Sequence, residues 1–419
     1  MGEDELDVRM GNISVGTLFR TRKGARFVYS PEAQDRYLGS PLLSVSLPVK
    51  KRPYSEGLTR SWFAGLLPEG ERLDQLCASI GCSPYDYFGI LRQVGFECVG
   101  AVCVCPRDSR TADYVRPNPI CDEELIQILN ELSEHTLTHA ARTSLAGVQD
   151  KIALAATEVK VDAGWVKSAH WATPSPTVIS THIVKPQPSM AYPGLIEGEA
   201  WAMEVARSAA RCASSALIDL EEAPASLVVR RFDRTIVDGT VKRVHQEDCC
   251  QALGLPPTNK YADAVRQKGD DPTYARIAAI LAQYADDPLA EADELLRQIV
   301  VNLALGNVDA HAKNYSLLHV QPAVVELSPM YDVVPVRDIE PRARHLSIRI
   351  MGKILADDIT REDVIGEACS WGMGRGRAIQ VIDETLSHIE VGIAQANAPY
   401  PMAGQRHTAP TYERLRQLA

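Results

Sequence analysis

The sequence is best interpreted outward from one stretch, Gly306-Asn307-Val308-Asp309-Ala310-His311-Ala312-Lys313-Asn314. Before it, over 291–305, apolar residues recur at the spacing of a helix that packs against a core, and Gly306 is a typical helix end. After it, two β-rich runs at 315–320 and 323–327 are separated by a Gln-Pro turn, which predicts a hairpin. The stretch is therefore predicted to be a polar loop between a buried helix and a hairpin.

The polar residues of this loop have the types and spacing of a phosphoryl-transfer site. Asp309 and Asn314 are separated as in the catalytic loop of protein kinases, and Asp332 follows the predicted hairpin. One carboxylate could orient or deprotonate an attacking hydroxyl, while the amide and the second carboxylate could hold Mg²⁺ against nucleotide phosphates. On spacing alone, a capped helix-exit loop is the commoner interpretation. The order helix, loop, hairpin and Asp favours the catalytic one.

Composition is that of a globular protein with two or three domains or lobes. The chain has 419 residues, of which 45% are apolar, and its formal net charge of −10 argues against broad nonspecific contact with nucleic acid. No apolar run is about 18 residues long, and the first residues are acidic, so neither a membrane span nor a secretory signal is predicted. We therefore expect a cytoplasmic protein that does not contact a membrane.

Composition shifts divide the chain into four predicted parts. Residues 1–106 are predicted to form a small α/β subdomain, and the polar, proline-bearing segment that follows is a boundary. Residues 120–245 would form the core of one lobe, and residues 246–398 a second, mainly helical lobe. A helix is predicted to start at His245, with Asp248 near its N-terminus as a cap. Residues 399–419 are polar and are predicted to form a loosely held tail.

Two upstream features would complete a nucleotide site. Gly147 lies at the tip of a predicted turn whose backbone N–H groups could cover phosphate oxygens. Lys185 ends a β-branched strand, and Glu199 lies in the helix that follows, which is the pair that kinase folds use to hold the α- and β-phosphates. An ordinary hairpin turn and an exposed strand-end lysine are the alternatives, so the pairing of Lys185 is the decisive expectation.

Taken together, six motifs make the sequence similar to one known family. They are Ser144-Leu-Ala-Gly-Val-Gln-Asp-Lys151, Thr181-His-Ile-Val-Lys185, Arg231-Phe-Asp-Arg234, Gln246-Glu-Asp-Cys-Cys-Gln-Ala-Leu-Gly-Leu-Pro256, Asp309-Ala-His-Ala-Lys-Asn314 and Pro329-Met-Tyr-Asp332. In this order the chain resembles, over nearly its whole length, the HipA family of bacterial Ser/Thr kinases, the toxins of toxin–antitoxin pairs. The resemblance implies an α+β, two-lobed protein-kinase-like fold with an extra N-terminal α/β subdomain and a mainly helical C-terminal lobe.

The resemblance also implies a role for individual residues. Asp309 would be the catalytic base, Asn314 and Asp332 the Mg²⁺ ligands, and Ser144 a site of autophosphorylation that switches the kinase off. The residues implied to bind ATP are Ala146, Gly147, Val148, Gln149, Asp150 and Lys151 of the phosphate loop, Lys185, the adenine-edge residues Arg230, Arg231 and Phe232, and His311, Asn314, Tyr331 and Asp332. Arg230 departs from the family, where Glu is frequent at this position.

The resemblance further implies the cofactors ATP and Mg²⁺ and two kinds of protein partner. One is a small HipB-like helix-turn-helix antitoxin, and the other is a protein substrate, expected to be an aminoacyl-tRNA synthetase. DNA would be contacted only indirectly, through the antitoxin. Two other hypotheses stay open from the sequence: a metal-dependent phosphohydrolase that uses Asp309, His311 and Asp332, and a catalytically silent nucleotide-binding corepressor.

Overall fold

The computed structural model describes residues 4–11, 13–107, 118–134, 150–175, 177–263 and 270–419. Buried apolar side chains in this part of the chain form three hydrophobic clusters: one within the N-terminal subdomain, one beneath the sheet that follows, and the largest within the helical lobe. None of the helices in these ranges combines the length and apolarity needed to cross a bilayer.

The N-terminal subdomain is a four-stranded antiparallel sheet with helices packed against it. The strand order is β3-β2-β1-β4. Trp62 and Phe63 lie in its core with no exposed surface, as their helical spacing predicts. Its elements are β1 (Glu5–Met10), β2 (Ile13–Thr21), β3 (Gly24–Tyr29), α1 (Pro31–Tyr37), α2 (Glu56–Ala64), α3 (Gly70–Ile80), α4 (Tyr87–Val94) and β4 (Val102–Pro106).

The middle of the chain forms a six-stranded sheet of order β5-β7-β6-β8-β10-β9, in which β7 also contacts β9. A two-stranded hairpin, β11 and β12, follows it. The elements are β5 (Asn118–Ile120), α5 (Asp122–Ser133), β6 (Ile152–Asp162), β7 (Trp165–Thr173), β8 (His182–Pro186), α6 (Leu195–Ala209), β9 (Ser215–Ile218), β10 (Ser226–Arg230), β11 (Arg234–Val237) and β12 (Thr240–Arg243). Lys185 lies on β8, a central strand, and Glu199 lies on α6.

The C-terminal lobe is mainly helical, with one three-stranded and one two-stranded sheet. Its strands are β13 (His245–Asp248), β14 (Ser316–Gln321), β15 (Val324–Leu327), β16 (His345–Ile350) and β17 (Lys353–Leu355). Its helices are α7 (Cys249–Ala252), α8 (Tyr274–Tyr284), α9 (Pro288–Leu305), α10 (Val336–Ile339), α11 (Arg361–Ser370), α12 (Arg375–Asn397) and α13 (Pro401–Leu418). The predicted end of α9 is confirmed, since Gly306 adopts φ +69° and closes the helix. The predicted hairpin, β14 and β15, is also confirmed.

Two predictions about the C-terminal lobe are wrong. His245 lies in strand β13, which pairs with β14, and the helix starts only at Cys249. The segment 399–419 is not a loose tail, because α13 buries Ala403, His407, Thr411 and Leu415 on one face. Arg414 anchors this helix by donating to the Ala304 carbonyl at 2.7 Å. Most of the buried face consists of small and polar residues, so hydrophobic periodicity does not predict it.

The buried imidazole of His245 should make the stability of the protein fall in acid. Its Nε2 lies 2.7 Å from the carbonyl oxygen of Leu43, and its ring lies 4.8 Å from that of His319. Burial, with a smaller contribution from His319, lowers the pKa of His245 to about 4, although Glu247 and Asp233 oppose the shift. An unfolded imidazole titrates near 6.5. The unfolded chain therefore binds an extra proton between these values, and stability that is fully present above pH 6.5 is lost toward pH 4.

We expect this group to remove about 2 kcal/mol from the free energy of unfolding between pH 6.5 and 5. Denaturant unfolding at several pH values measures the loss, and His245→Gln should reduce the pH dependence by that amount. The exposed His345 provides the matched control, His345→Gln. An equal effect of the two substitutions would contradict the prediction.

Candidate active site

The cleft with the predicted catalytic residues has a volume of about 410 Å³ and is lined by all three parts of the fold. The predicted site residues that line it are Lys151, Lys185, Arg230, Arg231, Phe232, Asp309, His311, Asn314, Tyr331 and Asp332. Asp150 is buried next to Lys151 but is not part of the lining. Ser144, Ala146, Gly147, Val148 and Gln149 lie outside the described residues.

Lys185 connects the sheet to the carboxylates of the site. Its Nζ lies 2.6 Å from Glu199 Oε1 and 2.5 Å from Asp332 Oδ1. Burial disfavours the charged ammonium, but Asp332 and Glu199 outweigh this effect and raise the pKa of Lys185 above its usual range. For the same reason Lys185 holds the pKa of Asp332 well below its usual range, although burial opposes the shift. The predicted pairing of Lys185 with Glu199 is present, although burial raises the pKa of the Glu199 carboxyl.

The loop that contains Asp309 is tightly hydrogen-bonded through its backbone. The Asp309 carbonyl accepts from the backbone N–H of His311 at 2.7 Å and from Asn314 Nδ2 at 3.3 Å. Asp309 is exposed at the cleft, but protein atoms fill much of the space around its carboxylate. The resulting partial desolvation raises the pKa of this carboxyl. A hydrogen bond from Tyr261 partly opposes that shift. A carboxylate with a raised pKa is a better proton acceptor, as a catalytic base requires.

Asp332 and Tyr331 follow the hairpin that the loop opens. Asp332 has φ +59°, an uncommon conformation for a residue with a side chain, and its carboxylate contacts Lys185. The Tyr331 hydroxyl donates to the Lys313 carbonyl at 2.6 Å, and its ring lies 5.5 Å from that of Phe232. A strained backbone at such a position is typical of functional sites.

The side chain of Arg231 is directed into the protein and away from the adenine-edge position. Its guanidinium donates to Asp233 Oδ2 at 2.7 Å and to Ser180 Oγ at 2.8 Å, and it lies 3.2 Å from Glu97 Oε1. The side chain is 2% exposed. In this segment, only backbone atoms, the exposed Arg230 side chain and the Phe232 ring are left to face a nucleotide.

The cleft also contains charged residues to which the sequence assigned no role in the site. Lys313 Nζ contacts Asp248 Oδ2 at 2.5 Å and the Gly65 carbonyl at 3.2 Å. Asp248 caps α7 as predicted, through Oδ1, and so combines capping with an ion pair. Lys260 pairs with Glu69 of the N-terminal subdomain at 2.8 Å. Glu69 is separated from Lys260 by 191 positions, so no local pattern could have revealed this pair.

Models of two protein families match this chain. Residues 6–105 match the HipA N-terminal domain, and residues 143–393 match the HipA-like C-terminal domain. The "Putative kinase Y4mE" of Sinorhizobium fredii is 31% identical over 401 residues, which are 90% of this chain and 88% of the relative. The "Serine/threonine-protein kinase toxin HipA" of Shewanella oneidensis is 27% identical over 401 residues, which are 93% of this chain and 88% of that relative.

A solved structure of the Shewanella oneidensis HipA toxin, in complex with HipB and operator DNA, has the same fold. It superposes with a TM-score of 0.82 at 24% identity and covers 98% of this chain and 96% of the HipA chain. The fold is therefore the kinase-like fold predicted from the sequence, with its extra N-terminal subdomain. Since both domain models and the full-length relatives agree, the chain belongs to the HipA family of Ser/Thr protein kinase toxins.

Proposed function

We propose that this kinase transfers the γ-phosphoryl group of ATP to Ser or Thr hydroxyls in a Mg²⁺-dependent reaction centred on Asp309. One observation carries the proposal: Lys185 contacts both Glu199 and Asp332 in the cleft that also presents Asp309 and Asn314. This brings the phosphate-binding pair of a kinase to the same cavity as its catalytic loop. Arrangements of this kind act mainly by positioning and by neutralising charge.

The reaction uses the residues in the following roles. The acceptor hydroxyl donates its proton to the Asp309 carboxylate while its oxygen bonds to the γ-phosphorus, and the bond from that phosphorus to the ADP oxygen breaks. Lys185, held by Glu199, binds the α- and β-phosphate oxygens. Asn314 and Asp332 offer the hard oxygen donors that suit Mg²⁺, which would neutralise the phosphate charge when bound.

Ser144 is proposed to be phosphorylated by the kinase itself. Lys151, at the end of the proposed phosphate loop, is half-buried, and the desolvation of its ammonium, followed by the nearby Lys185, lowers its pKa to about 8. Phosphate on Ser144 would add nearly two negative charges to the segment that the family resemblance assigns to binding the ATP phosphates. We therefore expect the modified protein to bind ATP more weakly and to be inhibited.

The partners that we propose follow from the family. The Shewanella oneidensis toxin was solved with HipB and operator DNA, and we propose a HipB-like helix-turn-helix antitoxin for this chain. The net charge of −10 supports contact with DNA through the antitoxin rather than directly. The protein substrate proposed from the family resemblance is an aminoacyl-tRNA synthetase, whose modification would inhibit translation.

The proposal is tested by incubating dephosphorylated protein with ATP and Mg²⁺ and measuring its intact mass. We expect one added phosphate, mapped to Ser144, and no addition in Ser144→Ala or after chelation of Mg²⁺. Incubation of the kinase with labelled ATP and a panel of aminoacyl-tRNA synthetases then tests the proposed substrate. ATP binding without transfer to any protein would favour the silent corepressor. Phosphate release from a phosphoester with Mn²⁺ and no ATP would favour the phosphohydrolase.

A further inference from the structure

The N-terminal subdomain places one carboxylate in the catalytic cleft. Glu69 immediately precedes α3, and its Oε2 accepts a hydrogen bond from Lys260 Nζ at 2.8 Å. Its Oε1 lies 3.7 Å from Lys313 Nζ. Burial opposes ionisation of Glu69, but Lys313 and Lys260 outweigh this effect and lower its pKa. Glu69 is thus an ionised group whose partners belong to the catalytic lobe.

The segment around Lys260 is attached to the catalytic loop. The Lys260 carbonyl accepts from the backbone N–H of Ala312 at 3.1 Å, and Ala262 N–H donates to the Ser347 carbonyl at 2.8 Å. Between them, the Tyr261 hydroxyl is hydrogen-bonded to the Asp309 carboxylate. Lys260 is also close enough to Asp309 to lower the pKa of its carboxyl. The lysine therefore lies near the proposed base, on a backbone segment that is hydrogen-bonded to the catalytic loop.

The ammonium of Lys260 has fewer hydrogen-bond acceptors than those of Lys185 and Lys313, the other two buried lysines that line the cleft. Lys185 has two carboxylates within 2.6 Å, and Lys313 has a carboxylate and a carbonyl. Within the described part of the chain, Lys260 Nζ has Glu69 as its one hydrogen-bond acceptor. An ammonium has three N–H donors, and this residue is only 8% exposed. Lys260 lines the cleft, so its remaining N–H donors are available to the oxygen atoms of a ligand.

We propose that Lys260 is a catalytic residue that binds the γ-phosphoryl oxygens of ATP during transfer, and that Glu69 is the positioning residue that holds it there. This inference rests on the proposed kinase reaction. In the proposed reaction the acceptor hydroxyl lies at Asp309, and Asn314 and Asp332 would hold Mg²⁺. The phosphoryl group would then pass between these residues, in the cleft that Lys260 also lines. Its charge spreads over three equatorial oxygens in the transition state, where a fixed and desolvated cation is most effective.

The N-terminal subdomain is then part of the catalytic machinery. Gly65, which accepts from Lys313, belongs to the same subdomain and lines the same cleft as Glu69. A kinase lobe separated from residues 4–107 would keep Asp309, Asn314 and Asp332 but would lose the group that positions Lys260.

The test compares Lys260→Met, Lys260→Arg and Glu69→Gln with the exposed-lysine control Lys242→Met. Single-turnover transfer from ATP gives the rate, and calorimetry gives the affinities for ATP and ADP. Loss of a transition-state donor lowers rates by about 10²- to 10³-fold, and we expect Lys260→Met to fall in that range. We expect it to weaken ATP binding about tenfold while ADP binding changes by less than about twofold, because ADP lacks the γ-phosphate.

The other variants distinguish direct binding of the phosphate by Lys260 from a purely structural role of this residue. Lys260→Arg keeps the charge and should recover at least about a tenth of the wild-type rate, whereas Glu69→Gln should lose about tenfold because the lysine is no longer held. Lys242→Met should match the wild type. Equal loss of ATP and ADP affinity, or a Lys260→Met rate within threefold of wild type, would overturn the inference. If Lys260→Met does not fold, Glu69→Gln provides the test. A lower transfer rate together with a lower ratio of ATP affinity to ADP affinity supports the inference, and an unchanged rate and ratio contradict it. A wild type that transfers no phosphate would instead refute the proposed function.

Discussion

Replacing Asp309 with Asn should lower the rate of phosphate transfer by about 10²- to 10⁴-fold, the contribution typical of a general base. The substitution preserves the size of the side chain and its ability to accept the hydrogen bond from Tyr261. It removes the proton acceptor and the negative charge. The fold and the cleft should therefore persist, and ATP affinity should change by less than about tenfold, since Lys185 still pairs with Glu199 and Asp332. Single-turnover transfer and calorimetry measure the two quantities.

The pH dependence of the rate provides a second measurement of the same assignment. Burial raises the pKa of the Asp309 carboxyl, and transfer requires the ionised form. The wild-type rate should therefore fall as the pH drops through that raised pKa, and this acid limb should be absent from Asp309→Asn. Asp238→Asn, at an exposed turn, is the matched control and should behave like the wild type. A variant that keeps the acid limb, or a rate within tenfold of the wild type, would remove Asp309 from the role of base.

Replacing Glu97 with Ala should destabilise the protein by about 3–5 kcal/mol, as expected when one partner of a buried ion pair is removed. Glu97 belongs to the N-terminal subdomain and has no exposed surface. Its carboxylate contacts Arg231 and Arg234 at 3.2 Å and Arg243 at 2.5 Å. Without Glu97, the one carboxylate left to these three guanidinium groups in the described part of the chain is Asp233, which contacts Arg231 and Arg234. The uncompensated positive charge would loosen the docking of the subdomain on the sheet.

Denaturant unfolding and hydrogen exchange of the N-terminal subdomain measure this loss. Glu56→Ala is the matched control, because the ion pair of Glu56 with Arg26 is exposed at the surface, and pairs of that kind contribute about 0–1 kcal/mol. Similar losses in the two variants would show that the Glu97 cluster contributes no more than a surface pair. Because Arg231 borders the cleft, we also expect weaker ATP binding in Glu97→Ala at temperatures where the variant is still folded.

Several features of the site could be predicted because each depends on residues close in sequence. The loop from Asp309 to Asn314, the glycine that ends α9 and the hairpin that leads to Asp332 all lie within one short segment. Lys185 and Glu199 are fourteen positions apart, and strand-to-helix connections of this length bring such residues together. The capping role of Asp248 depends on Gln251, three positions away.

Other features could not be predicted because their partners are distant in sequence or their pattern is weak. The α13 helix buries alanine, histidine and threonine, which carry little hydrophobic signal. The family resemblance implies that Arg231 is part of an adenine edge, and only its spatial neighbours Glu97 and Ser180 show that its guanidinium contacts the N-terminal subdomain. The local sequence predicts a helix at His245, because the partner of its strand, β14, lies about seventy positions away and leaves no local signal.

The sequence by itself determined the family, the kinase-like fold and the positions proposed for catalysis, because local patterns and motif order carry that information. The tertiary structure alone decided which charges neutralise one another in the cleft. Lys185 forms ion pairs with both Glu199 and Asp332. Lys313 pairs with Asp248, and Lys260 pairs with Glu69. The physical reason is that ion pairing falls off steeply with distance, and the distances between these groups are set by packing of lobes far apart in the chain.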